Sequence, residues 1–340
     1  ILLRPHPWRA FVGRIQSQTA PQMNSAAAMK ILAVTVLFNP DPELLLRSVA
    51  SYAGCVRKVL AWRNSPLPPE LEESLLGFGN VELRGDGTNA GIPRALNSAL
   101  REAAACGCDT LLTMDQDSVW HGFGSFLAAV SAPGAPEGFY SPETRTGDAE
   151  TSAGDGDSAG ASAHADKSAG ASAGDGEAAG TSAGDGEAAG EAFHATDTAY
   201  TSGMLVPVCT AERIGGWDED FTVDGVDNEF CLHALSLGIR CWKVGAGWLE
   251  HRLGKVEFRR LLGLRFRVYN YPPERLYGIY RNNLVAIRRY SSVSGPFRKL
   301  FLHTWGWRRP VRMLLGEKQL AAKLRAILRG LRDSRTGKGC

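Results

Sequence analysis

The sequence predicts an α/β domain built on a mainly parallel sheet, and two observations support this. From Lys30 onward, apolar runs of strand length alternate with helical patterns, at the spacing of strand–helix–strand units. The chain has 340 residues, of which 44% are hydrophobic and 22% charged, as in globular proteins. The longest apolar run, 31–38, is far shorter than the roughly 20 residues of a membrane-spanning helix. A transmembrane protein is therefore excluded as a first interpretation.

Strands and helices alternate in the first part of this domain. Four short apolar runs, rich in β-branched residues, are predicted strands: 31–38, 58–62, 81–83 and 110–114. A helix is expected to begin at Pro42 and Glu43, and another to cover about 92–105. Further along, we expect a strand at 200–208, a helix at 229–237, a strand at 239–244 and a basic amphipathic helix at 274–290.

An acidic insertion interrupts the domain at 148–191, which holds ten acidic residues and one basic residue. It contains four decapeptides in register over 151–190, built from Ala, Gly, Ser and Asp. A calcium-binding repeat would need a bulky apolar residue in each unit, so we favour a disordered loop. The remaining chain carries a net charge of about +11. Residues 1–28 lack the apolar core of a signal peptide, and we expect a disordered leader or a start-site artefact.

Asp115 and Asp117 form a D-x-D pattern directly after the predicted strand 110–114. Carboxylates at the carboxyl end of a parallel strand point into the crevice where ligands bind in such sheets. Hard cations such as Mg²⁺ or Mn²⁺ take oxygen ligands and keep positions open for substrate phosphates. The pattern predicts a metal site, with a solvated acidic turn as the alternative.

Three further positions carry candidate chemistry. The run Asp224–Glu229 opens a helix, so its acids are either helix caps or, beside a cation-bound phosphate, a general base. His251 follows a strand-like segment and is, taken alone, more typical of a structural residue. Asn89 and Gly91 enter the helix at 92–105 through a turn that could equally be an ordinary cap or a ligand contact.

Taken in order, these segments resemble glycosyltransferase family 2, and within it the rhamnosyltransferase-like branch. The segments that carry the resemblance are ILAVTVLFNPD, NAGIPRALNSAL, LLTMDQDS, TSGMLV, IGGWDEDFTVDGVDNEFCLHALSLGIRCW, LEHRLG and YRNNLVAIRRY, and the ending AAKLRAILRGLRDSRTGKG is also similar. The resemblance implies a GT-A fold over 29–290, a Rossmann-like mixed and mainly parallel sheet with flanking helices. It also implies inverting, metal-dependent transfer of a sugar, with dTDP-L-rhamnose as the favoured donor.

The resemblance assigns roles to individual residues of this sequence. Asp227 matches the catalytic base, and Glu229 matches a second acid that supports the site. Asp115, Asp117 and His251 match the groups around the metal and the diphosphate, which makes a divalent cation, Mg²⁺ or Mn²⁺, the implied cofactor. The other matches are Thr35, Asn89, Gly91 and Asp115 for donor binding, and Trp217, Arg281 and Asn282 for contacts with the acceptor and the phosphates.

Arg63 departs from the family pattern, which usually has an acid before Asn64 that helps to recognise the base of the nucleotide. The alternatives are a transferase with a UDP or GDP donor, and a non-catalytic glycan-binding relative whose donor site has decayed.

The region 291–340 is predicted to be helical, basic and amphipathic, and its residues 297–340 hold twelve basic and two acidic residues. Contact with an anionic membrane leaflet, where a lipid-linked or oligosaccharide acceptor would lie, is favoured over nucleic-acid binding or a solvated face. The implied location is cytoplasmic and peripheral, on the inner face of the plasma membrane. Seven cysteines without regular spacing favour a reducing compartment.

Overall fold

The computed structural model describes residues 29–146, 193–251, 257–261 and 264–336. The expectations for residues 1–28 and for the acidic insertion 148–191 lie outside the described residues.

The amino-terminal half is a parallel sheet with helices between its strands. The strands are β1 (Ile31–Leu37), β2 (Lys58–Arg63), β3 (Val81–Arg84) and β4 (Thr110–Asp115). The helices are α1 (Pro42–Ala50), α2 (Pro69–Leu76) and α3 (Ile92–Ala105). The strands lie in the order β3-β2-β1-β4 and all pairs are parallel. The parallel α/β arrangement predicted from the sequence is therefore confirmed.

The same sheet continues beyond β4 with strands of mixed direction. They are β5 (Val119–His121), β6 (Phe139–Thr146), β7 (Phe193–Thr196), β8 (Met204–Pro207) and β9 (Cys241–His251). The full order is β3-β2-β1-β4-β8-β6-β9-β5, and β7 also pairs with β9. β8 is antiparallel to both of its neighbours, and β9 is parallel to β6 and antiparallel to β5. The helices of this half are α4 (Phe123–Val130), α5 (Val208–Ile214) and α6 (Val226–Ser236).

Three predicted elements have different bounds in the structure. The strand expected at 200–208 is shorter, because a turn with Gly203 at φ +79° precedes β8 and Val208 already begins α5. The helix expected at 229–237 begins three residues earlier, at Val226. The strand expected at 239–244 runs from Cys241 to His251, because β9 pairs along its length with β5, β6 and β7.

Apolar residues on the two faces of the sheet form two cores. Along β1, Leu32 and Val34 belong to one core, whereas Ile31 and Ala33 belong to the other. Because side chains alternate along a strand, a strand covered by helices on both faces is apolar throughout. The burial of both faces leaves the carboxyl edge of the sheet as the place where polar side chains gather.

The carboxyl-terminal part packs helices against this frame. A hairpin of β10 (Glu257–Leu261) and β11 (Leu264–Val268) precedes α7 (Pro273–Arg289). Then follow α8 (Gly295–Phe301), a π-helical turn (Leu302–Arg308), α9 (Arg309–Gly316) and α10 (Leu320–Thr336). Among the described residues, no helix combines the length and apolar character that crossing a membrane requires.

The π-helical turn keeps one stripe of side chains buried along α8 and α9. Phe297, Phe301, Trp305, Arg309 and Met313 are all buried and recur at every fourth residue. Four residues of an α-helix turn by roughly 400°, so such a stripe would drift by about 40° at each step. A π turn bonds residues five apart and is therefore wider. Placed at the centre of the stripe, it returns the later residues to the core.

Gly330 permits the close contact between α10 and α7. A Cβ atom at this position would lie 2.8 Å from the carbonyl oxygen of Tyr277 and 3.2 Å from the amide nitrogen of Arg281. We expect Gly330→Ala to lower the free energy of unfolding by about 1–3 kcal/mol, because the two helices must move apart. Urea denaturation measures this loss. Gly124→Ala is the matched control, since nothing lies near its Cβ within α4 and it should be neutral or stabilising.

Candidate functional site

A cluster of three possible metal ligands lies at the carboxyl edge of the sheet. Asp115 ends β4, Asp117 follows two residues later, and His251 ends β9. One ligand atom from each of the three lies within 4.8 Å of the others. The pairing of β5 with β9, which sets Val119 opposite Glu250, brings His251 beside the D-x-D turn. The structure thus unites residues that are separated by more than 130 positions in the sequence.

Neighbouring side chains hold this cluster in place. The hydroxyl oxygen of Ser202 accepts a hydrogen bond of 3.1 Å from the amide of Asp115. The hydroxyl of buried Ser118 lies 3.0 Å from Nδ1 of His251, and the ring of Tyr200 stacks on the imidazole. A hydrogen bond to one ring nitrogen fixes the orientation of a metal-binding imidazole.

Replacement of Ser118 by alanine is expected to weaken metal binding. Partners that orient a ligand typically contribute 10- to 100-fold to metal affinity, so we expect the affinity for Mn²⁺ to fall about tenfold. Isothermal titration with Mn²⁺ measures the change without any sugar donor. Ser74→Ala, which removes a similarly buried hydroxyl bonded to a helix carbonyl in α2, should leave the affinity unchanged.

The electrostatics of the cluster favour a bound cation. The pKa of Asp115 is raised to about 6, mainly by burial; His251 opposes this shift, and the Asp117 carboxylate makes a smaller contribution in the same direction as burial. Because two carboxylates held in one cleft repel each other, a cation between them relieves both the burial and the repulsion. The two carboxylates and the imidazole fit a divalent cation such as Mn²⁺, and three protein ligands leave positions open for other oxygen ligands.

Asp227 lies in the first turn of α6, close enough to Asp115 to interact with it electrostatically. Burial raises the pKa of Asp227 to about 7, and Asp224 and Asp115 add to the shift, although the amide of Asn228 donates a hydrogen bond of 2.9 Å to this carboxyl group. A carboxyl group with a pKa near 7 can gain and lose a proton at neutral pH, which is the requirement for a general base.

The turn before α6 is fixed by α7. Gly225 has φ +83°, and a Cβ atom there would lie 3.2 Å from Cβ of Asn282. The side-chain amide of Asn282 donates a hydrogen bond of 2.7 Å to the carbonyl of Asp224, whose carboxylate forms a 3.2 Å ion pair with Arg275. Burial raises the pKa of Asp224, and Arg275 opposes this. These contacts position the backbone that carries Asp227.

Glu229 lies on the same helix as Asp227 but is not part of the metal-ligand cluster. It is buried, and its carboxylate accepts hydrogen bonds from the hydroxyl of Tyr290 and from Arg289, which also pairs with Asp218. Burial raises the pKa of Glu229, and the Tyr290 hydrogen bond opposes the shift. Glu229 therefore joins the end of α7 to α6.

Trp217 and Arg281 are buried beneath the loop that leads to Asp224. Trp217 is 2% exposed and stacks on Phe230 at 4.5 Å between ring centroids. Arg281 is 3% exposed and donates hydrogen bonds to the carbonyl of Asp220 and to the side chain of Asn282. Both side chains support this loop from below.

The predicted donor-binding loop 89–91 is fastened to the end of β2. The side-chain oxygen of Asn64 accepts hydrogen bonds of 3.2 Å from Trp62 and from the amide of Ala90. Asn89 is exposed and its side-chain oxygen accepts from the amide of Gly91, which has φ +82°. Asn89 therefore presents its surface to solvent, while Asn64 holds the loop from within.

Thr35 is buried, and Arg63 is paired with neighbouring groups of the protein. Thr35 has no exposed surface and lies beside Tyr52. Arg63 donates two hydrogen bonds, of 3.1 and 2.7 Å, to the carbonyl of Gly85 and forms a 2.8 Å ion pair with Glu72. Arg63 thus joins the ends of β2 and β3.

Gln116, the central residue of the D-x-D pattern, joins the ends of β4 and β1. Its side-chain oxygen accepts a 2.8 Å hydrogen bond from the amide of Phe38, and its side-chain nitrogen donates a 3.1 Å bond to the carbonyl of the same residue. Sequence reasoning missed this role, as it missed those of Ser118, Ser202 and Tyr200. Ser118 directly follows the D-x-D pattern, and this position beside a predicted metal site could have marked it.

No model of a known protein family matches the chain, and no curated protein sequence matches it. Solved structures match its fold. Residues 1–349 of S. aureus TarS in complex with UDP-GlcNAc align over 90% of this chain and 80% of that one, at 12% identity and a TM-score of 0.54. The Pyrobaculum calidifontis mannosyltransferase PcManGT, with GDP-Man and Mn²⁺, aligns over 98% and 84%, at 11% identity and a TM-score of 0.51.

GalNAc-T7 with UDP, GalNAc and Mn²⁺ aligns over 78% of this chain, at 10% identity and a TM-score of 0.51. The aligned part spans half of the GalNAc-T7 chain. At these identities the likeness concerns the fold, and it confirms the mixed, mainly parallel architecture predicted from the sequence.

Proposed function

We propose that this chain, whose fold is that of the GT-A glycosyltransferases, moves a sugar from a nucleoside diphosphate donor to an acceptor hydroxyl with inversion at the anomeric carbon. One observation carries the proposal: the Asp115–Asp117–His251 cluster lies in electrostatic reach of a separate carboxyl group, Asp227. This pairing supports transfer from a diphosphate, because one group can hold the charged leaving group while the other removes a proton.

In the proposed reaction the carboxylate of Asp227 accepts the proton of the acceptor hydroxyl. The hydroxyl oxygen forms a bond to the anomeric carbon, and the bond from that carbon to the diphosphate oxygen breaks. Asp115, Asp117 and His251 would hold a divalent cation, which when bound would offset the negative charge of the departing diphosphate. Glu229 acts by holding α6 against α7.

The proposed donor is dTDP-L-rhamnose, on the strength of the sequence resemblance to the rhamnosyltransferase-like branch. UDP and GDP sugars are the competing donors, because the structural neighbours were solved with UDP-GlcNAc and GDP-Man. The proposed donor-binding residues are Thr35, Asn89 and Gly91. Thr35 lies within β1. Arg63 is committed to the Gly85 carbonyl and Glu72, so we propose that the base is recognised without the acid that the family uses.

The proposed acceptor is a lipid-linked or oligosaccharide hydroxyl at the cytoplasmic face of the plasma membrane. Asn282, with Trp217 and Arg281 beneath the loop, would shape the acceptor side of the cleft. The basic carboxyl-terminal helices support a location beside an anionic leaflet.

The decisive experiment incubates the chain with Mn²⁺ or Mg²⁺ and a panel of nucleotide sugars, with and without a lipid-linked acceptor fraction. We expect release of nucleoside diphosphate from dTDP-rhamnose, stimulated by the acceptor and stopped by EDTA. Release from another donor would retain the transferase and replace the sugar. If no donor were turned over and none bound by calorimetry, the glycan-binding alternative would replace the proposal.

A further inference from the structure

The carboxyl-terminal helices present an apolar face to solvent. We call this face, Leu302, Trp307, Val311, Leu314 and Leu315, the apolar ridge. Trp307 is 69% exposed and Leu314 is 57% exposed. Both side chains are exposed, whereas the buried stripe described above faces the core. Five large exposed apolar side chains within 302–315 are typical of an interaction surface.

Basic residues are abundant in the segment that carries the apolar ridge. Residues 295–336 contain eleven Lys or Arg residues, of which Arg298, Lys299, Lys318 and Arg325 are among those exposed. The segment has only two acidic residues. Glu317 is paired with buried Lys323 at 2.6 Å, and the second pairs with Arg332. The carboxyl-terminal helices therefore carry a strong net positive charge.

Resting on the membrane location of the proposed function, we propose that the apolar ridge docks on the surface of an anionic lipid bilayer. The apolar side chains would enter the boundary between headgroups and acyl chains, and the basic residues around them would meet lipid phosphates. Tryptophan suits this depth, because its ring is apolar and its N–H can remain hydrated. Charge argues against a second copy of the chain as the occupant, since a symmetric contact would bring two positive surfaces together.

Vesicle co-sedimentation of the full chain tests this proposal. The vesicles are phosphatidylcholine alone, or equal parts phosphatidylcholine and phosphatidylglycerol. We expect binding to the anionic vesicles, weakened by added salt, and about tenfold or greater loss of partitioning in Trp307→Ser/Leu314→Ser. Leu76→Ser/Leu237→Ser is the matched control: both residues are exposed leucines elsewhere on the chain, and their replacement should leave binding unchanged.

Several results would overturn the proposal. These are failure of the wild-type chain to bind anionic vesicles, equal binding by the ridge variant, and equal loss in the control. Light scattering adds another: a wild-type dimer that becomes monomeric in the ridge variant, without vesicle binding, would assign the face to a second copy. The assay contains no nucleotide sugar, so its failure is separate from failure of the proposed transferase activity.

Discussion

Replacement of Asp227 by asparagine is expected to abolish sugar transfer while leaving donor binding intact. A general base contributes about 10²- to 10⁴-fold to a rate, and asparagine cannot accept the proton. Turnover is followed by release of nucleoside diphosphate, and donor affinity by calorimetry. Wild-type turnover should also fall as the pH drops through about 7, because protonation removes the base.

The same replacement is expected to stabilise the fold at alkaline pH. Because burial raises the pKa of Asp227 to about 7, the folded chain binds this proton more tightly than the unfolded chain. Stability contributed by the neutral form is complete below about pH 4 and is lost as the pH rises through about 7. Measured with EDTA at pH 8, Asp227→Asn should be about 1–3 kcal/mol more stable than wild type, and the difference should vanish at pH 4.

Asp220→Asn is the matched control, since Asp220 is an exposed carboxylate in the loop before α6. Its turnover and stability should match wild type at both pH values. Unchanged turnover in Asp227→Asn would remove this residue from the mechanism, and an equal stability difference at pH 4 and 8 would remove the buried charge from its explanation.

Replacement of Asp115 by asparagine is expected to cost the chain its cation. The amide keeps one oxygen ligand but loses the negative charge, so we expect Mn²⁺ affinity to fall about 100-fold or more. The backbone at this position should be unaffected, because Ser202 and Ser48 bond to the amide and the carbonyl of residue 115 and not to its side chain. Thermal unfolding with and without Mn²⁺ measures the effect: the cation should raise the Tm of wild type and not of the variant.

The control is Asp41→Asn. Asp41 caps the amino-terminal end of α1, and asparagine is an equally good cap at such a position. It should retain the full shift of Tm with Mn²⁺. A wild-type shift that persists in Asp115→Asn would show that the cation binds elsewhere.

Local pattern was sufficient for the four strands of the parallel half and for its helices α1 and α3, whereas α2 was not predicted. The strand 110–114 could be read because it is buried on both faces, and its end fixed the place of Asp115. The strands β5 to β7 were not predicted, because they are short or half-exposed and owe their pairing to β9. Their register is a property of the assembled sheet and not of any local window.

Within the site, the types of residue were easier to predict than the residues that each of them contacts. Asp115 and Asp227 were predicted as site residues from the sequence, whereas the pairing of Glu229 with Tyr290 and Arg289 was not predicted. Positions two apart on a helix point about 200° from each other, so Asp227 and Glu229 cannot both face the cleft. The bond from Ser118 to His251 joins residues 133 positions apart and required the three-dimensional structure.

The hydrogen-bond pattern of the π-helical turn decides in which direction the side chains after it point. If residues 302–308 rearranged from the π turn to a regular α-helix without a change in length, everything after them would rotate by roughly 100°, because each residue of an α-helix turns by about 100° and each residue of the wider π turn by less. Arg309 would leave the ring of Tyr269, over which it now lies at 3.5 Å, and Met313 would leave the core. Val311 and Leu314 would also move from their present positions, although the sequence after the turn would be unchanged. In this segment, the hydrogen-bond spacing of residues 302–308, and not the residue composition, decides which apolar side chains are buried and which are exposed.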